Sequence, residues 1–144
     1  MIARICHDLI TPCNAINLGI EAFEMAEDRE LITCIKDSAT KANSLLKFMR
    51  ELFSTKDVDF FYTKSFIETQ SSDFLKIYNI DFKLASVGAN IVYGSGKVIL
   101  HTVAILKEIM PFGGQASCRV DDNLISFTYG GKGISELDII FHRN

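Results

Sequence analysis

The sequence predicts an α+β protein: a helical hairpin over residues 1–54 followed by a mixed α and β segment over residues 58–144. Three observations carry this. Apolar residues recur every three or four positions from residue 2 to residue 52, which is the period of one helix face. The charged run Glu27-Asp28-Arg29-Glu30 interrupts that pattern once. After Ser54-Thr55-Lys56-Asp57 the texture changes to short alternating and short helical stretches.

The first helix is predicted over residues 3–25. At about 100° per residue, Ile2, Ile5, Leu9, Cys13, Ile16, Ile20 and Phe23 fall in a stripe roughly 80° wide, and His7 lies on the order of 160° from its centre. His7 therefore points away from the packing face. Arg4 and Thr11 sit one turn before and after it and share its helix surface. Pro12 has no N–H for the carbonyl of Asp8, at a cost of about 3 kcal/mol in a helix interior. This predicts a local kink one turn beyond His7; the alternative is that Pro12 opens a helix with Thr11 as its N-cap.

Asp28 is placed to cap a second helix over residues 29–53. Its apolar and small residues Leu31, Ile35, Ser38, Ala39, Ala42, Leu45, Met49 and Leu52 repeat close to a heptad. Ser38, Ala39 and Ala42 allow close helix approach. Two helices of this length cannot bury both stripes alone, so a second hairpin from another copy is expected to complete a four-helix bundle in a homodimer. The alternative is that the hairpin packs on the rest of its own chain.

In the second segment, residues 64–78 have a helical pattern through Phe66, Ile67, Phe74 and Leu75, and residues 80–85 alternate as a strand. Gly94-Ser95-Gly96 opens an apolar helix over residues 97–110 that stops at Pro111. Residues 115–120 and 124–129 form a hairpin across Asp121-Asp122-Asn123, and residues 134–141 read as strand or helix. The Gly-Lys spacing in Gly94-Ser95-Gly96-Lys97 does not fit a phosphate-binding loop.

Composition narrows the function. With 15 basic and 18 acidic residues the net charge is −3, and no basic block suggests nucleic acid. No apolar run approaches the roughly 18 residues of a membrane span, and the N-terminus lacks a signal-peptide pattern; a soluble, cytoplasmic protein is expected. Cys6, Cys13, Cys34 and Cys118 form no metal-ligand spacing and read as reduced core residues. His101 and His142 read as structural or solvated.

The segment His7-Asp8-Leu9-Ile10-Thr11-Pro12 resembles the H-box of the dimerisation helix in two-component histidine kinases, and the element order resembles the dimerisation and catalytic domains of that family. The catalytic half departs from it. The stretch matching the family's Asn-bearing, magnesium-holding helix, residues 103–111, contains no Asn. The run matching Asp-x-Gly-x-Gly is Tyr129-Gly130-Gly131-Lys132-Gly133, where a phenol replaces the carboxylate acceptor that reads adenine. Together these features resemble the ChpT-type histidine phosphotransferases of alphaproteobacteria, which pair an H-box hairpin with a degenerate ATPase-like domain. The residues that carry this are Ala3-Arg4-Ile5-Cys6 with the H-box, then Ala15-Ile16, Gly19-Ile20-Glu21 and Glu108-Ile109-Met110-Pro111-Phe112-Gly113-Gly114. Only six residues precede His7 and the second domain ends early, which implies a shortened member or a misplaced start.

The resemblance implies a phosphorelay. A receiver domain's aspartyl phosphate would give its phosphoryl group to His7, which passes it to a second receiver. Free imidazole titrates at about 6.5, so an exposed histidine supplies a neutral nucleophile at cytosolic pH. Asp8 would orient the ring or take its proton, with Thr11 and Arg4 completing the catalytic cluster. Phosphoryl transfer needs chiefly in-line positioning and charge stabilisation, so Mg²⁺ is expected only in the partner receiver and no cofactor in this chain. The expected partners are the receiver domain of a hybrid histidine kinase and response regulators. Asn14 and Leu18, further along the His7 face, are candidate docking residues. Counting back from the turn near residue 27 places position 7 opposite about position 47, so Lys47 and Arg50 are candidates for phosphate or receiver contact; the alternative is a solvated basic patch. Two other functions remain open: a non-catalytic dimeric module that binds response regulators, and a fragment of an ATP-dependent histidine kinase.

Overall fold

A computed structural model describes residues 2–26, 28–57, 59–86, 88–121, 124–131 and 134–142, with the side chains of residues 2–5 and 134–137 left aside. The chain divides into two compact units, Met1–Met49 and Arg50–Asn144.

The first unit is built from α1 (Ile2–Ala26) and most of α2 (Arg29–Phe53). Asp28 caps α2: its Oδ1 accepts from the Glu30 N–H at 2.9 Å, satisfying a donor that the first turn leaves without a partner. Helix α1 runs through Pro12 without a break, so Pro12 does not open a helix. The close approach of the two helices is set at Gly19, where a Cβ would lie 2.7 Å from Ile35 Cγ1.

The C-terminal part of α2 is buried through Ala42, Leu45, Phe48, Met49 and Leu52, whereas Ala39 is exposed. Among the described side chains of α1 only Pro12 is buried. Leu9, Ile16 and Phe23 are half-buried, Cys13 is exposed and Ile20 is 43% exposed. The cysteine expectation is corrected accordingly: Cys6 and Cys13, at the edge of the α1 stripe, and Cys34 on α2 are exposed, and only Cys118 is buried. Burial pushes the Cys118 thiol up to about 12, the direction expected when desolvation disfavours a thiolate. His101 and His142 are both exposed.

The second unit stacks two helices, α3 (Lys64–Lys76) and α4 (Tyr93–Ile109), with a four-stranded sheet ordered β2 (Ile80–Ser86), β4 (Gly114–Val120), β5 (Leu124–Gly131) and β6 (Ile134–His142). Strands β2 and β4 are parallel; the β4–β5 and β5–β6 pairs are antiparallel. Ile80, Phe82, Leu84, Ala116, Cys118, Val120, Ile125 and Phe127 alternate into the core with Ile67, Phe74, Ile99, Val103 and Leu106 of the helices. This is the two-period pattern of a half-covered sheet meeting the helical stripe. Residues 134–142 are strand, completing the sheet beside β5.

A second pair, β1 (Phe61–Thr63) and β3 (Asn90–Val92), was not predicted. Three residues are too few for a period to show in sequence. Helix α3 is capped by the Thr63 hydroxyl, which accepts from the Phe66 N–H at 3.2 Å. Helix α4 begins at Tyr93 rather than residue 97. Gly96 belongs to its first turns because a Cβ there would overlap the ring of Tyr62, lying 2.8 Å from Cε2.

Candidate functional site

Helix α1 presents His7, Thr11, Asn14 and Leu18 within about 60° of arc, and all four are exposed, with the His7 side chain 81% exposed and Leu18 65% exposed. The helix thus carries an imidazole on its solvent face, flanked by small polar groups.

Local geometry around the ring follows from its neighbours. Asp8 Oδ1 lies 3.6 Å from His7 Nδ1, and the Asp8 side chain is 18% exposed. This separation is beyond hydrogen-bonding length, yet it places a carboxylate on the Nδ1 side of the ring. The Thr11 hydroxyl donates to the His7 carbonyl at 3.5 Å, and Pro12, one residue on, has no N–H for the Asp8 carbonyl. The backbone beside His7 is therefore held by a side-chain hydroxyl at one carbonyl and lacks its ladder donor at the next. The Arg4 side chain lies outside those described.

The contact of Gly19 with Ile35 fixes the antiparallel register, because paired positions then sum to about 54. Position 7 accordingly stands at the height of Lys47, and position 4 at the height of Arg50. Lys47 and Arg50 are both exposed, and among the described residues neither makes a hydrogen bond or ion pair with His7, Asp8 or Thr11. The structure brings His7, Asp8 and Thr11 together, and sets Lys47 on a different helix at the height of His7, with Arg50 about one turn away.

In the second unit, the stretch matched to the kinase magnesium helix holds a lysine. The side chain of Lys107 is 9% exposed, with its ammonium 3.6 Å from Glu108 Oε1, 5.1 Å from the Tyr78 ring centre and 6.0 Å from that of Phe74. Tyr129 and Gly130 lie in β5, while Lys132 and Gly133 of the Gly-rich run lie outside the described residues. No group of three or more His, Cys, Asp or Glu side chains suited to a metal occurs among the described residues. No helix among them is long and apolar enough to cross a membrane.

Sequence reasoning missed a polar cluster at the end of α2. Glu51, 6% exposed, accepts from the Tyr62 hydroxyl at 2.8 Å and the Ser54 hydroxyl at 3.0 Å. Lys97 Nζ donates to the carbonyls of Glu51 at 2.6 Å and Leu52 at 3.1 Å, closing the C-terminal carbonyls of α2 with a cation, as the helix dipole favours. Burial first, then the Glu51 carboxylate, hold the Tyr62 phenol well above its ordinary range. Lys97 is 46 residues from Glu51 in the chain, so no local sequence signal marks the pairing.

Comparison with known proteins follows the same lines. The chain is 28% identical over 127 residues to Protein phosphotransferase ChpT of Brucella abortus (strain 2308), an alignment covering 83% of this chain and 58% of that protein. The chain thus spans somewhat over half the length of this curated relative. A solved bacterial phosphotransferase shares the fold, with a TM-score of 0.78 and 24% identity, covering 94% of this chain and 67% of that one. No family model matches.

Proposed function

We propose, from the ChpT-type resemblance that the sequence and fold comparisons both support, that this chain is a histidine phosphotransferase of a bacterial two-component phosphorelay. Its phosphoryl carrier is His7. The observation that carries this reading is an H-box histidine 81% exposed on the solvent face of α1, with a carboxylate on its Nδ1 side.

With Asp8 beside Nδ1, Nε2 is the nitrogen left open to a partner. Its lone pair attacks the phosphorus of a receiver's aspartyl phosphate; the N–P bond forms, the acyl O–P bond breaks, and the receiver carboxylate leaves. The ring carries the resulting positive charge until the Nδ1 proton passes to Asp8 or to water. The reverse step hands the group to a second receiver. Transfer of this kind asks the acceptor mainly for position and access, and Thr11 contributes by holding the His7 carbonyl. Mg²⁺ and its carboxylate ligands come with the receiver. Asn14 and Leu18 extend the His7 face as docking surface, and Arg4, Lys47 and Arg50 supply positive charge near the phosphoryl group. The domains are residues 1–54 for phosphotransfer and dimerisation and 58–144 for the ATPase-like sandwich, and the protein works in the cytoplasm.

The exposed Cys13 and Ile20 on the predicted α1 stripe support a dimeric bundle, since a second hairpin would bury them. Light scattering is expected to give about twice the 16.1 kDa chain mass; a monomer at tens of micromolar would count against the bundle.

ATP is not a substrate in this reading. The Asn and Asp of the kinase motifs are replaced, which removes the side chains that would hold magnesium and read adenine. Calorimetric titration with ATP and Mg²⁺ should be flat, and a micromolar isotherm would restore the kinase reading. A non-catalytic module that occupies response regulators is separated by substituting His7: docking would survive the change, and phosphoryl transfer would not.

A further inference from the structure

Helix α2 carries a one-signed charge pattern along its outer face. Arg29, Lys36, Lys47 and Arg50 fall within about 60° of arc at 100° per residue and span roughly 32 Å of helix. Thr33, Thr40 and Asn43 fill the positions between them. All seven are exposed. The acidic residues of the helix lie elsewhere: Glu30 and Asp37 are about 100° or more around it, and Glu51 is buried. Among the described residues the four cations form no ion pair. Along one border run Leu46, 54% exposed, and Phe53, 51% exposed, one heptad apart.

We infer that this stripe is an electrostatic docking surface for the acidic, phosphorylatable face of a receiver domain. The inference rests on the proposed relay for its choice of partner. A domain that stores a phosphoryl group on Asp with Mg²⁺ must cluster carboxylates there, because Mg²⁺ is held by hard oxygen ligands. Such a face is repelled by a chain whose net charge is −3 unless positive charge is concentrated locally. Four unpaired cations on one helix face provide that concentration, and fields of this kind act mainly on the association rate. The stripe is longer than the two residues nearest the height of His7. By the register of Gly19 with Ile35, Lys36 stands at the height of Leu18, and Arg29 at that of Met25. The orientation of a docked receiver along the hairpin is thereby read by charge, with Leu46 and Phe53 supplying apolar contact.

The test measures binding of purified receiver domains from the source organism to the full chain and to the Arg29→Glu/Lys36→Glu variant, at 50 and 200 mM salt. Both substitutions are on exposed helix positions, and circular dichroism checks the fold. At least one receiver should bind the parent. The variant should raise its Kd about tenfold or more, neutral Arg29→Gln/Lys36→Gln should fall between, and the parent's affinity should decline with salt. A charge-insensitive Kd, no receiver binding, or binding only to vesicles of anionic lipid overturns the stripe. Labelling of His7 is scored separately in the same mixtures. Charge-dependent binding without labelling sinks the relay and keeps the stripe, whereas labelling with charge-insensitive binding does the reverse.

Discussion

His7→Gln should fold and dimerise as the parent does, and accept no phosphoryl group. The side chain is 81% exposed, so its replacement removes no core contact, and stability should move by no more than about 0.5 kcal/mol. Gln keeps a polar group of similar length but has no nucleophilic nitrogen. Incubated with a phosphorylated receiver, the parent should gain a label that is acid-labile and alkali-stable, as a phosphoramidate is, while the variant stays at background. Asp8→Asn offers the graded comparison: the ring remains, the carboxylate beside Nδ1 is lost, and transfer should slow without disappearing. Labelling of the Gln variant, or labelling of the parent at another residue, would end the proposed chemistry.

Gly96→Ala should strongly destabilise the second unit. Its Cβ would overlap the Tyr62 ring, which cannot swing away. That ring is 2% exposed, its hydroxyl is bonded to Glu51, and it stacks 5.9 Å from Phe66 and 6.0 Å from Tyr93. Overpacking against a fixed ring costs about 3 kcal/mol, which lowers Tm by roughly 10–20 °C for a unit of this size. Gly94→Ala is the control. Nothing lies within 4 Å of a Cβ at that position, and the added methyl should be neutral or stabilise by about 0.5 kcal/mol by restricting the unfolded chain. Thermal unfolding followed by far-ultraviolet circular dichroism separates the two. Equal melting of both variants would mean that the ring yields, and that Glu51 and Lys97 do not hold the end of α2 as described.

The hairpin and most of the sheet were legible in the sequence because their information is local. The apolar period of residues 2–52, the charged break at residues 27–30 and the Asp28 cap each act over one or two helical turns, and α1 and α2 end where those signals do. The exposure of His7 follows from the same phase. The alternation of residues 80–85, 115–120 and 124–129 likewise gave β2, β4 and β5. What local pattern could not supply was partner geometry. Residues 134–142 are strand because β5 offers an edge to pair with, a choice that a short apolar run does not make for itself. The β1 and β3 strands exist through pairing between segments distant in the chain, Phe61 with Val92 and Thr63 with Asn90, and Lys97 finds the α2 carbonyls only once both elements are packed. The burial of Cys118 and the exposure of Cys6, Cys13 and Cys34 were decided in the same way: periodicity states which side chains share a face, and only tertiary contact determines whether that face meets protein or water.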